Sequence, residues 1–146
     1  MTLYLGLGSN LGNRHDNLLR ALDLIGQDVG RVVAVSSFIE TEPWGFTSSN
    51  AFLNAACAVM TDLHPLEVLP LTQGIERTLG RTAKSTDGVY HDRTIDIDLL
   101  LCLDSQGRTI KVNTPTLRLP HPLIAQRNFV RIPLTELGVD PDTLEP

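Results

Sequence analysis

Long apolar runs are missing from this sequence, along with most of the features that would place a chain in a membrane, in a secreted scaffold or on nucleic acid. No stretch approaches the roughly 20 apolar residues that span a bilayer, and the start, MTLYLGLGSN, has no basic segment followed by a long apolar core. A cytoplasmic protein is therefore expected. Cysteine is scarce: only Cys57 and Cys102 occur, both in strand-like apolar runs, where buried thiols are the natural reading and a disulfide framework is not. Positive charge is in deficit, with 12 Lys and Arg against 17 Asp and Glu and a net charge of −5. That balance excludes a general nucleic-acid surface and makes any phosphate binding local. Aromatic residues are few, at 5%, and none forms the aromatic-basic stripe of an RNA-binding sheet. Repeats and low-complexity segments are absent. The glycine cluster GLGSNLGN lacks both the GxxxxGK[ST] and the GxGxxG spacing, so it reads as a turn with a helix cap and not as a phosphate cradle.

What is present fits one domain spanning residues 1–146, with 42% apolar and 20% charged residues, long enough to bury a core without metal or disulfide staples. Thr2 to Leu7 reads as a first strand. Asn13 can cap a helix whose apolar positions are Leu18, Leu22 and Ile25. Arg31 to Ile39 reads as a second strand and Phe52 to Met60 as a third, separated by TEPWGFTSSN, a loop long enough to signal function or mobility. Pro65 opens a second helix reaching Leu79 with Gly80 as its C′ residue, although Pro70 inside it predicts a kink or a later start. The strand within HDRTIDIDLLL follows, then a DSQG turn, a short Thr109–Val112 strand, the LPHP segment and a closing amphipathic turn at Pro133–Leu137. The order β-α-β-β-α-β matches the ferredoxin-like split unit, an α+β antiparallel sheet with its helices on one face and the other face free for ligand.

Within that frame the acidic strand poses a chemical question. Strand alternation points Asp96 and Asp98 the same way, opposite to Ile95, Ile97 and Leu99. At about 3.3 Å per residue their Cβ atoms lie about 6–7 Å apart, near enough to contact a pair of divalent ions. Structural pairing with arginines is the alternative. Hard Mg²⁺ suits two carboxylates when phosphates and water complete its octahedron. Arg77, Arg81, Lys84 and Arg93 gather before this strand, with Arg118 and Arg127 after it, as clamps on a polyphosphate would, or as plain solvated charge. The polar segment RTAKSTDGVYHD has the composition of a mobile lid or of a surface loop. His121 is held between two prolines; Phe52 and Phe129 are either core aromatics or stacking surfaces, and Asn54 shares a strand face with Phe52.

Several motifs then fall in register over most of the chain: YLGLGSNLGNR, TEPWG, FLNAA, QGIERTLGR, DRTIDIDLLL and LPHPLIAQRNFV. In these the sequence resembles the 6-hydroxymethyl-7,8-dihydropterin pyrophosphokinase family, whose members share the ferredoxin-like α+β fold and move the terminal pyrophosphate of ATP onto the pterin hydroxymethyl group. The resemblance implies that Asp96 and Asp98 ligate two Mg²⁺ ions, with ATP as co-substrate. It further implies ATP contacts at Gln73, Glu76, Lys84, Tyr90, Leu99, His121 and Arg127, with Arg81 and Arg93 gripping phosphates. The pterin ring would lie between Phe52 and Phe129, its edge read by Asn54, Asp96 and the segment Thr41, Glu42, Pro43 and Trp44. Where many members carry Trp-Gly-Pro-Arg before the acidic strand, this chain has Tyr90-His91-Asp92-Arg93. Two rivals stand beside this reading: a non-catalytic ferredoxin-like module that binds a nucleotide or folded RNA, and a different Mg²⁺-dependent phosphotransferase. Nothing in the sequence asks for a dimer, so a monomer without nucleic-acid or membrane partners is expected.

Overall fold

The computed structural model describes residues 1–42, 50–80 and 94–144. Strand β1, Thr2–Ser9, buries Leu3, Leu5 and Leu7 on one face and turns Tyr4, Gly6 and Gly8 to the other. It outruns the expected end at Leu7 because Gly8 and Ser9 still pair with Asn54 and Leu53. Asn13 then caps helix α1, Arg14–Asp28, its side chain accepting from the Asp16 amide at 3.0 Å. Leu18, Ala21 and Ile25 form the buried stripe of that helix.

The strand expected over Arg31–Ile39 is broken in two. Strand β2 covers Arg31–Val35 and β3 covers Ile39–Thr41, and both run antiparallel to β4, Phe52–Met60. Serine causes the break. The Ser36 amide donates to the Ala56 carbonyl at 2.9 Å, but the Ala56 amide returns to the Ser36 hydroxyl at 2.8 Å, so a side chain takes the place of a ladder carbonyl. The next amide, Ser37, turns out of the sheet to both carboxylate oxygens of Glu136, at 2.9 and 3.0 Å.

Helix α2, Pro65–Thr78, starts at Pro65 and runs on through Pro70, so the later start predicted from that proline does not occur. A reciprocal cap fixes the start instead: His64 Nδ1 accepts from the Leu66 amide at 3.1 Å, and Glu67 accepts from the His64 amide at 3.3 Å. Gly80 ends the helix at φ +103°, a conformation that suits glycine. Strand β5, Asp96–Leu103, pairs with β1, giving the sheet order β2-β4-β1-β5 with β3 also on β4. Its register slips between Tyr4 and Leu5, so Leu100 is an extra residue and packs with Leu101 on one face.

After the Asp104–Gly107 turn the chain departs from expectation. Thr109 only bridges Leu103, and the short hairpin is β6, Val112–Asn113, with β7, Arg118–Leu119. The expected turn at Pro133–Leu137 is the end of a third helix, α3, Asn128–Glu136. Pro133 lies inside it, where a proline ordinarily signals a start or a stop. Helices α1 and α2 cover one face of the sheet around Leu5, Val59 and Ile97, which bears out the α+β arrangement. The opposite face, expected to be open, is covered in part: Ile124, Val130 and Leu134 pack on Ala56, Leu100 and Leu101. Burying side chains of that size stabilises the cover by about 1.5–3 kcal/mol each.

Candidate active site

The uncovered remainder of that second face is a pocket enclosing about 620 Å³, open solvent included. Its floor is the central strand. On β1, Gly8 stands between Asn54 of β4 and Asp96 of β5, and Gly6 between Ala56 and Asp98. A Cβ at Gly8 would come within 2.8 Å of the Asn54 Oδ1 atom and 3.4 Å of the Phe52 ring, so glycine is what lets those two side chains lie across the floor. At Gly6 the Leu100 side chain fills the equivalent space at 3.3 Å. The sequence reading placed Gly6 in a strand ending at Leu7 and Gly8 in the turn beyond it, and gave neither a place in the site. Their spacing of two within a strand was the signal that they share a face with the acids.

One wall is β3 and β4: Thr41 and Glu42 line it with Phe52 and Asn54. The Asn54 amide nitrogen donates to the Thr41 hydroxyl, which fixes how the amide is turned. The other wall comes from the tail, with Arg127, Phe129 and Val130. Arg127 is buried, and its guanidinium carbon sits 5.6 Å from the centre of the Phe129 ring, a cation–π contact. Asp96 and Asp98 complete the lining from β5. The structure thus brings together Thr41, Glu42, Phe52, Asn54, Asp96, Asp98, Arg127 and Phe129, all expected in the site.

Other expected residues lie elsewhere. Leu99 is buried in the helix-side core, because strand alternation turns it away from Asp96 and Asp98; its side chain does not reach the pocket. Glu76 and His121 instead flank the outer edge of β5. The buried Glu76 carboxylate accepts from the Ile97 amide at 2.9 Å, and the His121 amide donates to the Leu100 carbonyl at 2.8 Å. His121 Nδ1 accepts from the Leu123 amide at 3.1 Å, which leaves the ring proton on Nε2 in the neutral form. Gln73 is half-buried on α2, three residues before Glu76 and so on the same side of the helix. Pro43, Trp44, Arg81, Lys84, Tyr90 and Arg93 lie outside the described residues.

Known proteins share this architecture. A solved HPPK-DHPS chain in complex with substrates superposes with a TM-score of 0.66 at 14% identity, over 93% of this chain and 40% of that one. The Plasmodium falciparum HPPK-DHPS gives 0.67 at 14% identity, over 92% of this chain and again 40% of its own length. Likeness at that identity speaks for the fold. Curated sequences carry the kinship further. The 2-amino-4-hydroxy-6-hydroxymethyldihydropteridine pyrophosphokinase of Porphyromonas gingivalis is 53% identical, covering 93% of this chain and 90% of its own. That of Bacillus subtilis is 41% identical over 92% and 76%. Fold and kinship together define an ATP-dependent diphosphokinase. Residues 4–139 match the 7,8-dihydro-6-hydroxymethylpterin-pyrophosphokinase (HPPK) family, and the chain belongs to it.

Proposed function

We propose that the pocket holds 6-hydroxymethyl-7,8-dihydropterin between Phe52 and Phe129, and that the chain transfers the terminal pyrophosphate of ATP onto the pterin's hydroxymethyl group, releasing AMP. The observation that carries this reading is the sharing of one glycine floor by two carboxylates on β5 and an aromatic on each wall. A flat heterocycle fits between aromatic walls, and its hydroxymethyl arm can then reach the acidic side.

Asp96 and Asp98 fit a hard divalent cation, since both offer only carboxylate oxygen. Among the described residues no group of three or more His, Cys, Asp or Glu side chains could hold a metal ion by itself, so Asp96 and Asp98 would leave the remaining ligands to phosphate oxygens and water. Two Mg²⁺ ions bound there would neutralise phosphoryl oxygens and ease loss of the hydroxyl proton. The protein's own share is orientation. Asn54, held by Thr41, turns its carbonyl oxygen towards the floor and reads a donor on the ring edge. Arg127 presents a guanidinium beside Phe129, where ring and polyphosphate meet. Arg81 and Arg93 grip phosphates, with Gln73, Glu76 and His121 placing the nucleotide along the outer edge of β5. The hydroxyl oxygen attacks the β-phosphorus in line, the bond from that phosphorus to the α,β-bridging oxygen breaks, and AMP departs.

Incubation with ATP, Mg²⁺ and the hydroxymethyl pterin, followed by chromatography of the nucleotides, tests this. AMP should appear in step with pterin diphosphate. ADP as the stoichiometric product would make the protein an ordinary kinase.

A further inference from the structure

The segment Ser9–Asn17, read from sequence as a turn, a cap at Asn13 and the start of a helix, does more than join β1 to α1. Backbone pairing of the central strand stops at Ser9 on its β4 side and Gly8 on its β5 side. Beyond that point three side chains continue the ties to both neighbours. Towards β4, Asn10 Nδ2 donates to the Asn50 carbonyl at 3.3 Å, and Arg14 Nη1 donates to the Ala51 carbonyl at 3.0 Å and to Glu40 on β3 at 2.8 Å. Towards β5, Asn17 Nδ2 reaches the Thr94 carbonyl at 3.3 Å while also facing the Leu11 carbonyl at 2.9 Å and the Ser9 hydroxyl at 3.2 Å.

Asn10 and Asn17 are 3% and 7% exposed, so their amide donors are largely withdrawn from water and costly to leave unpaired. Their acceptors lie immediately ahead of the chemistry. Phe52 follows Ala51, and Asp96 stands two residues after Thr94. Glu76 holds the same stretch of β5 from the far edge, through the Ile97 amide.

We propose that Ser9–Asn17 is a positioning junction: Asn17 sets the carboxylate strand through Thr94, while Arg14 and Asn10 set the aromatic wall through Ala51 and Asn50. The two halves of the site are then registered against one another by a segment that touches neither substrate. This rests on the reading of the pocket given above.

Two variants separate the arms. Asn17→Leu keeps the volume and removes the donor; Arg14→Met keeps the stem and removes the guanidinium. The readouts are the Mg²⁺ concentration that half-saturates binding of α,β-methylene ATP and the dissociation constant of the pterin, both by calorimetry. Asn17→Leu should raise the Mg²⁺ requirement about tenfold, as loss of a supporting contact behind metal ligands does, with pterin affinity within about twofold. Arg14→Met should weaken pterin binding about fivefold and leave the Mg²⁺ requirement within about twofold. Arg14→Lys should recover part of the pterin affinity.

Equal losses for both ligands in both variants, or no loss in either, would overturn the junction. Circular dichroism checks the fold, and should Asn17→Leu unfold, Asn17→Gln takes its place with the same expectation at reduced size. Wild-type protein that binds no pterin would overturn the pocket assignment instead, a result legible without any variant.

Discussion

Charge placement at single residues makes the sharpest demand on this site. Asp96 and Asp98 are half-buried, face the pocket, and belong to neither apolar cluster. Asp96→Ala and Asp98→Ala should therefore each remove most turnover, by a hundredfold or more if both metals depend on them, on the order of 3 kcal/mol of transition-state stabilisation. The melting temperature should move by no more than about two degrees, since no core contact is lost. Steady-state assays across a Mg²⁺ series, set beside thermal melts, check both halves of that statement. Near-normal activity at low Mg²⁺ in either variant would reduce the pair to a structural feature.

At the scale of elements, α3 is what turns a sheet face into a pocket. Its packing is anchored by Val130 and Leu134, four residues apart, whereas Phe129 lines the wall and remains half-buried. Phe129→Ala should accordingly weaken pterin binding about tenfold or more while leaving the nucleotide nearly untouched, because stacking on a flat ring is worth roughly 1 kcal/mol or more beyond its area burial. Separate calorimetric titrations decide it, and matched losses for both ligands would mean that the helix itself had shifted. The helix also marks where sequence reasoning reached its end. Strands that are near-continuous apolar runs, such as Phe52–Met60, and helices with explicit caps, such as the one behind Asn13, were legible because one local signal dominates each. The break at Ser36–Ser37 depends on Ala56 and on a carboxylate 99 residues away, and no local pattern encodes such a partner. Leu99 shows the same limit from the other side. The resemblance places it at the nucleotide, and the alternation that pairs Asp96 with Asp98 turns its side chain to the core, away from the pocket. That the aspartate pair, the aromatic pair and Asn54 line one pocket was readable because chemistry and periodicity agreed at those positions. The glycine floor went unread, since it consists of side chains that are not there.

The molecule as a whole is held by its helix-side core, which contains both cysteines. Burial pushes the Cys57 thiol up to about 12, and burial raises Cys102 as well. A thiol so shifted is almost entirely protonated at pH 8 and a poor nucleophile. Native protein should resist iodoacetamide at that pH, and labelling should begin only as the core opens. Pulse alkylation across a urea series, read by mass spectrometry, should give a labelling midpoint that coincides with the loss of ellipticity. Rapid labelling in the absence of urea would show that the core opens locally beneath its helices.

The position of α3 along the chain carries one further consequence, for the moment of birth of the enzyme. The sheet and both of its backing helices precede Arg127 and Phe129. On the ribosome, where earlier segments are free to fold first, the floor, the acids and one aromatic wall exist before the opposing wall has been translated. On the proposed reading of the pocket, a nascent chain then carries the groups assigned to phosphate before the wall assigned to the acceptor. On that reading competence waits for α3, and a product interrupted before Arg127 should bind no pterin.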